Sequence, residues 1–482
     1  MAKLEGLKPQ NVFHFFEEIS QIPRGTYHVD AISDYAAAFA RERNLEYIQD
    51  AAKNVIIKKD ATPGYENCEP VILQGHMDMV LAKEAGCDID LLTDPLRLGV
   101  EGDYLYAQGT TLGGDDGIAV AYCLALLDAK DIPHPPLEVI LTVNEEGGMD
   151  GARDIDLSCI RGKKMINIDS EEEGVFTVGC AGGGRVDVLF EAPYEKKKGN
   201  LLSVTITGLL GGHSGEEIHK ARGNANCLMG RLLNRLLSEE VCLQEMEGGN
   251  ADNAIPREAT AVILVSPEKT DKVLDIIHKL ESELQKELYV RDPDVEILVT
   301  QKLDQEAEVL SPEDTGKFAR LILAFPNGVQ TMSSDVEGLV QTSLNMGLVR
   351  TQDHVISLGF SVRSSVASEK EALIEKVRAV ASLAGCESSL RGLYPGWEYR
   401  QESPLRDEMI RAYKKVYNKE PEVVVIHAGL ECGLLMDKKP GLDAVSIGPN
   451  MKDIHTPNEK LSISSSERVW NYLLEVLKDM KH

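Results

Sequence analysis

Imidazole and carboxylate side chains follow several short apolar runs of this chain. They are His76 and Asp78 after residues 71–74, Glu145 and Glu146 after residues 138–143, and Asp169 after residues 165–168. Zinc and similar cations bind imidazole nitrogens and carboxylate oxygens, and a catalytic site leaves one position open for water. The pattern indicates a hydrolytic metal site, although a single His with a nearby acid is more often structural.

Two features of these runs have alternative interpretations. On a continued strand His76 and Asp78 face the same side, so Asp78 either binds a cation or orients the imidazole. Adjacent carboxylates such as Glu145 and Glu146 resist joint ionisation unless a cation is near. One glutamate would then bind metal while its neighbour takes a proton from water, and the alternative is a pair of solvated loop acids.

A glycine-rich loop at residues 109–117 leads into a predicted helix near Ile118. A phosphate cradle is one interpretation, but Asp115 and Asp116 at the helix start would repel phosphate. A cation fits better, and a pair of helix-capping acids is the remaining alternative. A loop histidine near the C-terminal end, His455, completes the candidate set.

The order of apolar and amphipathic runs predicts an α/β protein with an inserted domain. Predicted strands and helices alternate up to about residue 183 and again from residue 396, whereas residues 184–395 show long alternating strands between helices. We therefore predict a catalytic domain at 1–183 and 396–482 and an α+β domain at 184–395. Polar strand endings of the first domain would converge on one site, as in open α/β sheets.

Composition excludes several classes of function. A net charge of −27 argues against a nucleic-acid partner, since phosphate binding needs clustered basic residues. The short basic run at 196–198, beside Gly199, is typical of a solvated turn. No apolar stretch suits a membrane span, and the first residues lack the apolar core of a secretory signal. The 9 cysteines form no C-x-x-C pair, which favours reduced thiols and a cytoplasmic location.

The segments that carry these residues resemble the M20 clan of metallopeptidases, and within it the aminoacyl-histidine dipeptidase subgroup, whose members cleave Xaa-His dipeptides such as carnosine. The similar segments occur in family order along nearly the whole chain. They are Gly-His-Met-Asp at 75–78, Gly-Gly-Asp-Asp-Gly at 113–117, Asn-Glu-Glu-Gly-Gly at 144–148, Asn-Ile-Asp-Ser at 167–170, Gly-Gly-His-Ser-Gly at 211–215, His-Ala-Gly-Leu-Glu at 427–431 and Asp-Ile-His-Thr-Pro at 453–457.

The resemblance implies a two-domain fold, with a mixed-sheet catalytic domain that holds two metal ions and an inserted lid domain. It implies two divalent ions, with zinc expected and manganese or cobalt as alternatives. It also implies a role for each residue of the site. Asp115 would bridge the ions, His76 and Asp169 would complete one coordination sphere, Glu146 and His455 the other, Glu145 would be the general base for the bridging water, and Asp78 would orient His76.

The resemblance also assigns residues that bind substrate. His213 of the lid would donate to the oxyanion, within its own chain or across a dimer. Asn253 and Arg363 would contact the substrate, with the planar guanidinium suited to a terminal carboxylate. Glu431 would receive the free α-amino group. In such relatives Asp at the position of Asp169 accompanies aminopeptidase or dipeptidase activity.

The expected function is therefore hydrolysis of small unblocked peptides, with Xaa-His dipeptides as the expected substrates and a homodimer formed through the lid. Three alternatives stay open within the clan, namely a tripeptidase, a broad dipeptidase and an N-acyl amino acid hydrolase. A non-catalytic scaffold relative is a fourth, but it would be expected to lack a ligand or the base. The chain departs from the subgroup pattern at Asp116, where Asn is common, and the added charge would affect metal preference.

Overall fold

The computed structural model describes residues 4–481, and within them the chain divides into two compact units. The first unit comprises the described residues up to Gly179, Tyr399–Val425, and the described residues from Leu430 onward. The second comprises Cys180–Glu398 and Ile426–Gly429. The predicted domain bounds stay a prediction, and their outer limits, 1 and 482, lie outside the described residues.

The N-terminal part of the first unit alternates helices and strands. Its helices are α1 Gln10–Ile19, α2 Asp30–Glu42, α3 Gly114–Asp128 and α4 Asp150–Asp154, and its strands are β1 Glu46–Gln49, β2 Val55–Lys59, β3 Val71–His76, β4 Leu98–Glu101, β5 Tyr104–Ala107, β6 Leu137–Thr142, β7 Lys164–Asn167 and β8 Val175–Cys180.

The second unit contains longer strands interleaved with helices. Its strands are β9 Gly182–Glu191, β10 Tyr194–Thr207, β11 Gly212–His213, β12 Cys242–Gly248, β13 Ala254–Ile255, β14 Ala259–Val265, β15 Glu296–Leu310, β16 Gly328–Met332, β17 Val340–Gln352, β18 Val355–Ser364 and β19 Glu387–Tyr394, and its helices are α5 Ala225–Leu236, α6 Thr270–Glu287, α7 Pro312–Ala324 and α8 Ala367–Leu383.

The C-terminal part returns mainly to the first unit. It contributes α9 Pro404–Tyr417, β20 Glu422–Ile426, α10 Glu431–Lys438, β21 Asp443–Ser446, β22 Met451–Lys452, β23 Lys460–Ser462 and α11 Ile463–Asp479.

The main sheet of the first unit is mixed, in the order β1-β2-β6-β3-β7-β21-β8-β20. Strands β6, β3 and β7 are parallel neighbours, and β21 runs parallel to β7. All residues of β3 and β6 are buried, which explains the apolar runs at 71–73 and 139–141. Helix α3 packs against β3 and α1, so the site described below is attached to a buried sheet.

The second unit is built on a sheet in the order β15-β10-β14-β12-β17-β18-β9-β19, with β16 paired to β17. Its apolar core draws on the strands and on α5 to α8. The predicted α/β class with an α+β insert is confirmed. Among residues 4–481, none of the helices combines the length and apolar character that crossing a membrane requires.

One local prediction was wrong. The basic run at 196–198 lies inside β10 and is not a solvated turn. In the antiparallel pair with β15, Lys196 lies opposite Glu308 and Lys198 opposite Glu306. Opposite charges facing each other across a ladder stabilise strand pairing, so these lysines suit a strand once β15 is present.

Candidate metal centre

The carboxyl ends of three neighbouring parallel strands bring predicted site residues to one edge of the main sheet. His76 is the last residue of β3 and pairs with Thr142 of β6. Asp169 follows the end of β7 by two residues, and the pair Glu145 and Glu146 follows β6 by a short turn. Because parallel strands end at the same edge, residues distant in sequence meet there.

Asp115 lies between the two predicted histidine ligands. Its Oδ1 is 3.1 Å from Nε2 of His76, and its Oδ2 is 3.1 Å from Nε2 of His455. Asp115 stands at the start of α3 with a non-helical backbone (φ −80°, ψ 107°), which separates its side chain from the helix. One carboxylate thus presents one oxygen to each imidazole, the arrangement expected of a bridging ligand.

The remaining predicted ligands lie on either side of this carboxylate. Asp169 Oδ1 is 3.6 Å from Nε2 of His76, and Glu146 Oε1 is 2.8 Å from Nε2 of His455. Ligand atoms of Asp115, Glu146 and His455 all lie within 4.8 Å of one another. A second such group contains His76 and Asp169, together with Asp116. A third such group contains His76, Glu145 and Glu146. The predicted residues therefore lie in overlapping groups that could hold divalent ions.

The chemistry of these groups fits cations with nitrogen and oxygen ligands. Glu146 Oε1 is buried and forms no hydrogen bond, although Nε2 of His455 is close by. A short contact without hydrogen-bond alignment is what two ligands of a common ion would show. Asp116 Oδ1 is likewise buried without a partner. Several carboxylates buried this close together need a compensating positive charge, which divalent ions would supply.

The same excess of negative charge affects the protonation of the His455 imidazole. The nearby carboxylates of Asp115 and Glu146 raise the pKa of His455 to about 11. Without an ion, this imidazole therefore holds a proton at neutral pH. A metal ion and that proton compete for one nitrogen, so metal binding is expected to release protons.

Comparison with known proteins identifies the family of the chain. The sequence profile of Peptidase family M20/M25/M40 matches residues 72–479. The chain belongs to this family. The resemblance noted from the sequence is thereby confirmed, and the chain is a hydrolase.

Individual relatives of this M20 peptidase agree over nearly its whole length. The cytosol non-specific dipeptidase of Escherichia coli (strain K12) is 37% identical over 485 residues, covering 100% of this chain and 99% of that protein. The crystal structure of an aminoacylhistidine dipeptidase from Vibrio alginolyticus has a TM-score of 0.89 and 36% identity, covering 99% of both chains. The aminopeptidase PepT of Bacillus cereus ATCC 10987, with a TM-score of 0.57 and 15% identity, covers 99% of this chain and 100% of that one and shows a shared fold alone.

Asp78 links His76 to the loop that carries Glu145 and Glu146 (the glutamate loop) in this M20 peptidase. Its backbone carbonyl lies 3.1 Å from Nδ1 of His76, so this nitrogen can donate while Nε2 stays available to an ion. Its carboxylate accepts from the backbone N–H groups of Glu145 and Glu146 and from the hydroxyl of Thr26. Burial alone would raise the pKa of Asp78, but hydrogen bonding to His76 and Glu145 outweighs it and lowers the pKa.

Glu145 differs from its neighbour Glu146 in its surroundings. Loss of hydration raises the pKa of Glu145 well above its usual value; the charge of His76 opposes this rise, and the carboxylates of Asp169 and Glu431 add to it. A bound cation would lower that pKa again. A buried carboxylate with a raised pKa beside a cation is suited to accept a proton and return it.

Glu431 lies at the start of α10 and is fully buried. Its Oε2 accepts hydrogen bonds from Nε2 of Gln74 and Oγ1 of Thr142, both at 2.6 Å, whereas Oε1 has no hydrogen-bond partner. Burial raises the pKa of this carboxyl to about 7. The roles of Gln74 and Thr142 were not predicted, since each belongs to an apolar strand with no polar motif of its own.

The predicted substrate residues of the second unit lie near one another. His213 in β11 pairs with Ala254 of β13, the residue after Asn253. Its Nε2 is 3.5 Å from the guanidinium of Arg363. Among the described residues, no carboxylate forms an ion pair with Arg363.

His427 adds a second imidazole to this part of the second unit. Its Nε2 is 2.7 Å from Oγ of Ser343. Burial, together with the charges of Arg363 and His213, lowers the pKa of His427 to about 3, so the ring is neutral. His427 belonged to a segment noted for the family resemblance, but its place beside Arg363 was not foreseen.

Three further residues that contact the centre escaped prediction. Thr26 donates to Asp78, Arg24 donates to backbone carbonyls of the same region, and Glu459 accepts from the loop of Asp115. The sequence offered two signals. Arg24 is a charged residue in an apolar context before Gly25, and Glu459 is an acid four residues after His455.

Proposed function

We propose that this M20 peptidase hydrolyses unblocked dipeptides with the help of two divalent metal ions. The proposed ligands are His76 and Asp169 for one ion, Glu146 and His455 for the other, and Asp115 for both. The observation that carries the proposal is the Asp115 carboxylate, which presents one oxygen to each imidazole at 3.1 Å.

The ions would supply Lewis acidity, which polarises a carbonyl oxygen and acidifies water. The chain supplies proton transfer and orientation. The carboxylate of Glu145 would take the proton of the attacking water and then deliver it to the departing amine nitrogen. Asp78 would keep His76 in a fixed orientation and anchor the backbone of the glutamate loop, as its hydrogen bonds to Glu145 and Glu146 support.

Arg363 is proposed to bind the terminal carboxylate of the substrate. Arg363 is 8% exposed and forms no ion pair with an acid among residues 4–481. Its guanidinium lies 3.3 Å from the hydroxyl of Tyr394 and 3.5 Å from Nε2 of His213. A buried cation in such surroundings is stabilised by an anion. A planar fork can hold both oxygens of a carboxylate.

His213, Asn253 and Glu431 complete the proposed contacts. His213 would donate to the oxyanion that develops in the transition state. Asn253 would hold the substrate backbone, and its own carbonyl accepts from the N–H of Ser214, so it is tied to the His213 segment. Glu431 would receive the α-amino group, and the unpartnered Oε1 supports this role.

Xaa-His dipeptides, including β-alanyl-histidine, are the proposed substrates. The support is the similarity to the Vibrio alginolyticus protein, which is named an aminoacylhistidine dipeptidase. A broad dipeptidase is the second candidate, because the Escherichia coli relative is named a non-specific dipeptidase.

A substrate panel separates these candidates. Metal-reconstituted enzyme would be assayed on β-alanyl-histidine, alanyl-histidine, alanyl-alanine and an N-acetyl amino acid. The two histidine dipeptides are expected to have the highest kcat/KM. Equal rates on alanyl-alanine would establish the broad dipeptidase, and a clear preference for the acetylated compound would refute a dipeptidase.

Zinc is the proposed ion, with manganese and cobalt as alternatives, since all three accept nitrogen and oxygen ligands. A cytoplasmic location is proposed because all 9 cysteines are free thiols and because the Escherichia coli relative is named a cytosol enzyme. The proposed partners are small peptides and a second copy of the chain.

A further inference from the structure

The carboxylate of Glu459 accepts hydrogen bonds from the backbone N–H groups of the loop that carries Asp115. Glu459 is 2% exposed. Its two oxygens accept from four successive residues, namely Leu112 at 2.8 Å, Gly113 at 2.9 Å, Gly114 at 2.7 Å and Asp115 at 3.3 Å. Hydrogen bonds to an ionised acceptor are stronger than neutral ones, so this loop is firmly held.

Glu459 also belongs to the segment of His455. It stands four residues after that histidine, and its own N–H donates to the carbonyl of Thr456 at 3.1 Å. The same short turn therefore carries one imidazole of the centre and holds the loop of Asp115. This link joins the segment of His455 directly to the loop of Asp115.

Arg24 holds the same loop through a carbonyl. This fully buried guanidinium donates to the carbonyl of Gly113, to that of Met77 at 3.0 Å and to that of Asp78 at 3.3 Å. Met77 and Asp78 follow His76 directly. Arg24 thus joins the end of β3 to the loop of Asp115.

The backbone of the Asp115 loop allows the close approach of the Arg24 guanidinium. Gly113 has φ +65°, and a Cβ atom there would lie 2.5 Å from Nη2 of Arg24. Asp115 itself has a non-helical backbone, so hydrogen bonding of α3 does not fix its position. Burying a guanidinium and a carboxylate is costly and gives little net stability. Their benefit is expected in the geometry that they impose.

We infer that Glu459 and Arg24 are positioning residues that set the spacing of His76, Asp115 and His455. This inference rests on the proposed two-metal site. Neither side chain belongs to the proposed ligand set, and each binds the backbone of a segment that carries a proposed ligand. Loss of either is expected to weaken zinc binding, as losses of groups that orient ligands commonly do.

A matched control exists in the same unit. Glu138 is 1% exposed, and its carboxylate accepts from the backbone N–H groups of Arg161 and Gly162. E138Q and E459Q are therefore the same chemical change at two buried backbone-binding acids. Only Glu459 holds the loop of a proposed ligand.

The experiment measures zinc affinity by competition with a fluorescent chelator, and thermal unfolding of the metal-free full-length protein. E459Q is expected to weaken at least one zinc site by about ten- to a hundredfold. E138Q is expected to leave both zinc affinities at the wild-type value. Both variants are expected to lower the unfolding temperature of the metal-free protein, because each weakens hydrogen bonds to a buried acid.

A second variant tests the other residue. R24K keeps the charge, but an ammonium lacks the planar fork that reaches several carbonyls at once, so zinc affinity is expected to fall here too. Wild-type zinc affinity in E459Q or R24K, or an equal loss in E138Q, would overturn the positioning role. R24K decides alone if E459Q does not fold. Wild-type protein that binds no zinc would instead refute the proposed function.

Discussion

Two adjacent glutamates, Glu145 and Glu146, have different environments and are expected to have different roles. Glu146 lies 2.8 Å from Nε2 of His455 within a candidate metal group. We expect E145Q to retain its metal ions and to lose about 10²- to 10⁴-fold in kcat, because the proton acceptor is removed while the ligands stay. Elemental analysis beside steady-state rates measures both quantities.

The control for this prediction is the neighbouring variant. E146Q is expected to lower metal content, since it alters a proposed ligand. A fully active E145Q enzyme would show that another group takes the proton.

Arg363 allows a prediction about substrate rather than metal. Replacement by Lys removes the planar fork, so kcat/KM for a dipeptide is expected to fall about ten- to a hundredfold, as for lost hydrogen bonds to a charged group. The same dipeptide with an amidated C-terminus is the matched substrate. R363K should leave its low rate nearly unchanged, and an equal loss on both substrates would place Arg363 elsewhere.

At the scale of elements, Lys59 ties strand β2 to the end of helix α3. Its ammonium donates to the carbonyls of Leu126 and Ala129. K59M leaves both carbonyls unpaired, so we expect about 1–3 kcal/mol of lost stability, measured as a lower thermal midpoint of the metal-free protein. The control K58M removes only a salt bridge to the exposed Glu46 and should cost less than about 1 kcal/mol. Equal effects would contradict the assignment.

The elements that local sequence could predict are those whose burial is continuous or periodic. The apolar runs at 71–74 and 138–143 became β3 and β6, and the amphipathic stretch at 30–43 became α2. The basic run at 196–198 was misread because its partners, Glu306 and Glu308, lie more than 100 residues away. A strand that depends on a distant charged neighbour leaves no local signal.

The candidate site divides in the same way. Residues at strand ends could be predicted, since the motif and the strand are contiguous in sequence. Arg24 and Glu459 could not, because they act through backbone groups of a distant loop. Glu459 and the N–H groups that it binds are 344–347 residues apart. Residue types do not reveal which backbone donors and acceptors a distant side chain will bind.

At the scale of the whole molecule, the proposed homodimer can be tested directly. Light scattering after size exclusion is expected to give twice the mass of the chain, with dissociation on dilution if the interface is small. A mass of one chain at all concentrations would refute the dimer, and any action of His213 across subunits with it.

The carboxylate of Asp115 is proposed to bridge two metal ions. Anomalous diffraction from crystals grown with zinc tests this bridging role. Two zinc peaks about 3.5–4 Å apart are expected, one near each oxygen of Asp115, as in other two-metal sites. A single peak, or two peaks of which neither contacts Asp115, would contradict it.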